Sequence, residues 1–132
     1  MRRLVSTTLT ALLIVGCGQE VDKNASYDDI LALRDAVEAS GHSCDTFEIR
    51  EEGAEGALET ADCTQKSVLG IFGNAADAEA AAEGVNEIVV KMLGITSTVL
   101  VGPNWSVNCG GERKTCEGLQ RSLGGELVTL EP

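Results

Sequence analysis

Apolar residues change their spacing several times along the chain, and each change marks an element. Ile30, Leu33 and Val37 recur at helical intervals, with Ser26 and Asp29 ahead of them as a relaxed capping box and Gly41 behind as a stop. This predicts a first helix over Tyr27–Ser40. The period then drops to two. Phe47 and Ile49 alternate within Thr46–Arg50, and Leu58–Thr64 and Ser67–Phe72 read as two further strands around a tight Gln65-Lys66 turn. The clearest helix follows. Asn74 is a suitable N-cap, Asp77 sits in the first turn, Glu87 and Lys91 pair at i, i+4, and Gly94 ends it. Its expected buried stripe is Ala78, Ala81, Ala82, Val85, Ile88, Val89 and Met92, and the alanines imply close approach to what they pack on. Thr98–Gly102 reads as a buried strand, Pro103-Asn104 as a turn, and Trp105–Cys109 as an alternating strand with Trp105, Val107 and Cys109 on one side. A third helix over Arg113–Leu123 turns Cys116, Leu119 and Leu123 inward, and Glu126–Leu130 is a last strand after Gly124-Gly125.

The order α-βββ-α-ββ-α-β is rich in hairpins. It predicts an α+β fold, a two-layer sandwich in which a mainly antiparallel sheet is covered by helices. The succession of pieces hints at a duplicated unit, but no residue-level repeat accompanies it.

The first residues have a different logic. Arg2 and Arg3 precede Leu4–Val15, which carries no charge. Twelve residues cannot cross about 30 Å of hydrocarbon as a helix, but they suit the apolar part of a signal peptide. Ile14-Val15-Gly16-Cys17 then resembles the bacterial lipobox. The resemblance implies a diacylglyceryl group on the Cys17 sulfur and cleavage just before it, giving a stable two-chain anchor. The competing reading is a plain secretory peptide that contains a cysteine. The expected organisation is a signal peptide over 1–16, a lipidated tether over 17–25 and a single domain over 26–132.

Composition narrows the function classes. With 43% hydrophobic residues the 132-residue chain can build a core. Its formal charge of −11 offers no surplus of Lys and Arg for a nucleic-acid backbone, so no nucleic-acid partner is expected. Loss of Arg2 and Arg3 on processing takes the 10 basic residues to 8 and the side-chain charge from −11 to −13. Of five cysteines, Cys17 is spoken for, and Cys44, Cys63, Cys109 and Cys116 remain as two expected disulfides of an exported protein. Three connectivities are open. The local pairs Cys44–Cys63 and Cys109–Cys116 are favoured, the second because both residues face inward, and chain entropy assigns them about 3 and about 2.5 kcal/mol. A zinc site is the competing use of the four thiols, but they lack any C-x₂-C pair.

The lipobox, Gly41-His42-Ser43-Cys44, the segment Val101-Gly102-Pro103-Asn104-Trp105-Ser106-Val107 and Leu123-Gly124-Gly125 are together similar to small lipoproteins of unknown function from actinobacteria. That resemblance, over nearly the whole mature chain, implies a location and a shared fold but no activity. The Cys109/Cys116 pair is a departure from the common pattern, and local geometry at that end is not carried over.

Candidate chemistry is sparse. His42 is the only imidazole, with Asp45 nearby, but no nucleophile accompanies it, so a surface histidine is the plainer reading. Asp45–Asp62 gathers Asp45, Glu48, Glu51, Glu52, Glu55, Glu59 and Asp62 against Arg50 alone. The offsets of a calcium loop are absent, which leaves a solvated acidic hairpin. Glu48, Glu51, Glu52, Glu55 and Glu59 form its candidate interaction surface for a basic partner. Trp105 is expected to anchor the core. The sequons at Asn24 and Asn104 are given no role, and Cys109-Gly110-Gly111 ahead of a helix is a weak anion candidate. No P-loop, G-x-S-x-G, S-x-x-K or H-E-x-x-H occurs.

The expectation is therefore a lipid-anchored envelope protein on the extracytoplasmic face of the cell membrane. Its partners are the membrane, through the lipid on Cys17, and an unknown envelope protein or component. No catalytic residue, metal or cofactor is expected. The alternative is a lipoprotein that binds a small ligand (lipid, metal or peptide) between the second helix and the sheet. An enclosed apolar pocket of several hundred Å³ there would reverse that order.

Overall fold

The computed structural model describes residues 21–132. The signal segment, Cys17 and the tether up to residue 20 lie outside them. The elements are α1 (Ile30–Ala39), β1 (Glu48–Ile49), β2 (Glu59–Thr64), β3 (Ser67–Ile71), α2 (Ala75–Leu93), β4 (Ser97–Val101), β5 (Trp105–Asn108), α3 (Arg113–Leu123) and β6 (Glu126–Leu130). This is an α+β sandwich around one six-stranded antiparallel sheet, in the order β1-β2-β3-β5-β4-β6.

Local chemistry sets most boundaries. Asp29, not Ser26, caps α1 by accepting a hydrogen bond from the Ala32 amide at 2.8 Å. The helix therefore begins three residues later than Tyr27. Asn74 accepts from the Asp77 amide at 2.9 Å, and Gly94 takes φ 65° at the far end of α2. Gly102 answers a contact: a Cβ there would fall 2.0 Å from the Trp105 ring, which folds back over the β4–β5 turn.

Helices lie on both faces, giving three layers rather than the expected two, and two crossovers explain why. β3 and β4 run parallel with β5 between them, and β5 and β6 run parallel with β4 between them. Strands β3 and β5 point in opposite directions. Placing α2 on one face and α3 on the other gives both crossovers the same hand, as sheet twist demands.

The first face is the deep one. α1 packs on β2 and β3 and α3 on β4 and β6, enclosing Ile30, Leu33, Val37, Leu69, Leu100, Trp105, Val107, Leu119 and Leu123. Both disulfides belong to this face. Cys44–Cys63 ties the segment after α1 to β2, and Cys109–Cys116 ties the end of β5 to α3. They are the two local pairs anticipated from the sequence.

The chain leading into α1 is fastened as well. Val21 packs against this core, and Asn24, at φ 60°, donates its amide to the Leu123 carbonyl and accepts from the Gly125 amide, both at 2.8 Å. The Trp105 indole donates to the Ala25 carbonyl at 2.8 Å. Asn104 accepts from the Tyr27 amide and donates to the Tyr27 carbonyl. Residues 21–25, read as tether, are thus held on the domain. The β1 strand is shorter than Thr46–Arg50: Phe47 is half-buried under the Arg34 guanidinium, while Ile49 is 51% exposed.

Candidate functional site

The second face has one helix where the first has two. α2 packs on β4, β5 and β6, which leaves this side of β1, β2 and β3 without a helical cover. The buried residues of α2 are Ala78, Ala82, Asn86 and Val90, one every four residues. This corrects the expected stripe. Ile88 and Met92 are 60% and 78% exposed, and Ala81, Val85 and Val89 are half-buried along the flank facing the open strands. Asn86 is the polar member of the contact. Its amide donates to the Val128 carbonyl at 2.9 Å, and its carbonyl oxygen accepts from the Ser97 hydroxyl, so both ends are satisfied inside the protein. The helix is thereby locked to the edge strand β6 with its widest apolar flank turned sideways.

Beside that flank runs a half-open trough. Its central pocket, about 210 Å³, has Val68, Gly70, Phe72, Ser106 and Asn108 as floor and Ala81, Ala82 and Val85 as one wall. Gly70 is required by the floor, since a Cβ there would meet the Phe72 ring at 2.9 Å and the Ser106 hydroxyl at 3.1 Å. The opposite wall is the loop from Arg50 to Leu58. It is fastened by the Arg50 amide to the Thr60 carbonyl (2.8 Å), the Ala54 amide to the Thr60 hydroxyl (3.2 Å) and the Leu58 amide to the Ile71 carbonyl (2.7 Å). The pocket opens both ways. Val85 and Ala81 continue it toward Asp77, Glu55 and Ile88, and Val68 and Asn108 continue it toward Val89, Leu93, Ile95 and Lys66.

Ser106 marks the bottom. It is 9% exposed, lines the central pocket, and its hydroxyl has no hydrogen-bond partner among the described residues. The charges around the trough are unevenly committed. Arg50 is paired with Asp62, and Lys66 with Glu112 at 3.0 Å. Glu51, Glu52 and Glu55 are exposed on the loop wall and make no ion pair among the described residues.

The candidate residues from the sequence separate accordingly. Glu55 lines the outer end of the trough, Glu51 and Glu52 are exposed on the same loop, and Glu48 stands exposed on β1. Glu59 leaves the acidic surface: its carboxylate accepts from the Ile30 amide at 3.0 Å and serves the N-terminus of α1. His42 sits 3.3 Å from the Ser67 hydroxyl, which is itself 2.8 Å from the Thr64 hydroxyl and only 3% exposed, so this hydroxyl is closed to a substrate. Trp105 is fully buried in the deep core. Lys91 holds Glu87 at 2.7 Å and lowers its carboxyl pKa through that hydrogen bond and charge, a surface pairing with no part in the trough. Among the described residues no three His, Cys, Asp or Glu side chains converge as metal ligands, and no helix is long and apolar enough to cross a membrane.

The trough was missed in the sequence because Ala81, Val85, Ile88, Val89 and Met92 were read as one stripe buried together with Ala78 and Ala82. At 100° per residue, the apolar positions from Val90 to Ile88 span about 200° of the helix, wider than one sheet contact covers. That excess width is the signal. In comparisons with known proteins, no family, no curated protein and no solved structure matches this chain.

Proposed function

We propose that this protein is a lipid-anchored component of a bacterial envelope, held on the extracytoplasmic face of the cell membrane, whose domain binds another envelope protein and carries out no catalysis. The reading rests on Ile14-Val15-Gly16-Cys17 behind a charged start and an uncharged twelve-residue segment. Two disulfides suit an oxidising compartment, and a preformed apolar trough suits a binding role. Labelling growing cells with an alkyne fatty acid tests the anchor. Label is expected on the wild-type chain and absent from Cys17→Ser, which should leave the membrane fraction. A Cys17→Ser chain that is still processed and membrane-bound overturns it.

A small-ligand lipoprotein is the second reading, favoured by the Phe72 floor and the lone Ser106 hydroxyl. It ranks lower because the trough is open to solvent along its length and encloses no cavity that would bury most of a small ligand.

A further inference from the structure

We infer that the trough beside α2 is the docking site for a cationic amphipathic helix of a partner protein, which would lie along the mouth of the trough between α2 and the Arg50–Leu58 loop. The inference rests on the interaction-module reading above and names the kind of partner it needs.

Room is the first consideration. This face carries α2 alone, with the Arg50–Leu58 loop over β2 beside it, so an incoming helix would lie along the mouth of the trough between them. Its apolar side chains would point down into the groove and meet the flank of α2 that is now half in water. Val68, Val85 and Val89 supply apolar contacts for residues at i, i+3, i+4 and i+7 of such a helix. At the bottom, the unpartnered Ser106 hydroxyl, nine-tenths buried, is left for a polar group of the incoming chain.

Charge selects the kind of helix. Glu55 and Asp77 line the outer end of the trough, Glu51 and Glu52 are exposed on the same loop as Glu55, and the nearby cations Arg50 and Lys66 are already paired. A helix with a lysine-rich outer face would meet these carboxylates at its rim. A second processed copy of this chain would bring its own side-chain charge of −13 to the same rim, since −11 loses the +2 of Arg2 and Arg3, so charge complementarity favours a foreign, basic segment.

The test uses the full chain in phosphatidylcholine nanodiscs, with empty nanodiscs subtracted. The probe is a fluorescein-labelled 18-residue helical peptide of leucine, alanine and lysine, compared with its leucine, alanine and glutamate counterpart. Anisotropy should show saturable binding of the lysine peptide with Kd below about 100 µM and the glutamate peptide at least tenfold weaker. Val85→Lys should weaken the lysine peptide at least about tenfold. The exposed substitutions E51Q, E52Q and E55Q together should weaken it several-fold and flatten its salt dependence, and they carry the test if Val85→Lys fails to fold. Equal binding of both peptides, binding that these variants leave unchanged, or signal from empty nanodiscs alone overturns the inference. So does sedimentation showing a dimer that Val85→Lys dissociates, since the occupant is then a second copy. A chain that nanodiscs do not retain sinks the anchor instead, and the titration is then run on the free chain.

Discussion

The two faces of one sheet are built from alternate residues of the same strands, and they have been put to opposite uses. On the deep face the strands present Ala61, Cys63, Leu69, Ile71, Leu100, Trp105, Val107 and Cys109, which two helices and two disulfides close over. On the shallow face the same strands present Gly70, Ser106 and Asn108 beside Val68, Val99 and Val101, under one helix whose contact stripe is Ala78, Ala82, Asn86 and Val90. Stability is concentrated where side chains are large and enclosed. Accessible apolar surface is left where they are small. Perturbing each face in turn therefore separates what the fold depends on most from what it tolerates.

The largest effect is expected at the centre of the deep face. Trp105→Ala removes a fully buried ring and the indole bond to Ala25, and urea unfolding should show a loss of about 3–5 kcal/mol. Replacing Cys109 and Cys116 together by alanine should cost about 2–3 kcal/mol in the same measurement, since the bond closes a short loop. On the shallow face, Asn86→Ala leaves the Ser97 hydroxyl and the Val128 carbonyl without the partner they now share. A loss of about 1–3 kcal/mol is expected, with faster amide exchange along β6.

A smaller effect belongs to Tyr27, whose phenol pKa is raised by burial and by the charge of Asp22. Folding favours the neutral phenol, so this contribution is whole below the ordinary value of about 10 and fades as pH rises through the higher folded value. Phenolate absorbance should develop at higher pH in the folded chain than in urea. Smallest of all is Ile88→Ser on the exposed flank of α2, which should leave unfolding within about 0.5 kcal/mol of wild type. A loss there comparable to Asn86→Ala would erase the distinction between the faces.

The deep face was legible from spacing alone. Ile30, Leu33 and Val37, the Trp105, Val107 and Cys109 alternation, and Cys116, Leu119 and Leu123 all point where the sequence says, because each pattern is bordered by glycine, proline or a cap. The shallow face was less so. Nothing in a one-dimensional apolar pattern tells which part of a 200° arc meets the sheet. Asn86 decided it through two long-range hydrogen bonds, to residues 11 and 42 positions away, that no local rule anticipates. The acidic stretch was recognised as a surface, but Glu59 was assigned to it because its use by the α1 N-terminus depends on β2 lying under that helix.

The clasp around Asn24 has a mechanical consequence. It joins the chain entering at Val21 to the Leu123–Gly125 corner, while Ala25 and Tyr27 are gripped by Trp105 and Asn104 from the middle of the sheet. Force applied to the chain ahead of Val21 would therefore be shared among several bonds at once and delivered to the central strands, and α1 would be spared the load.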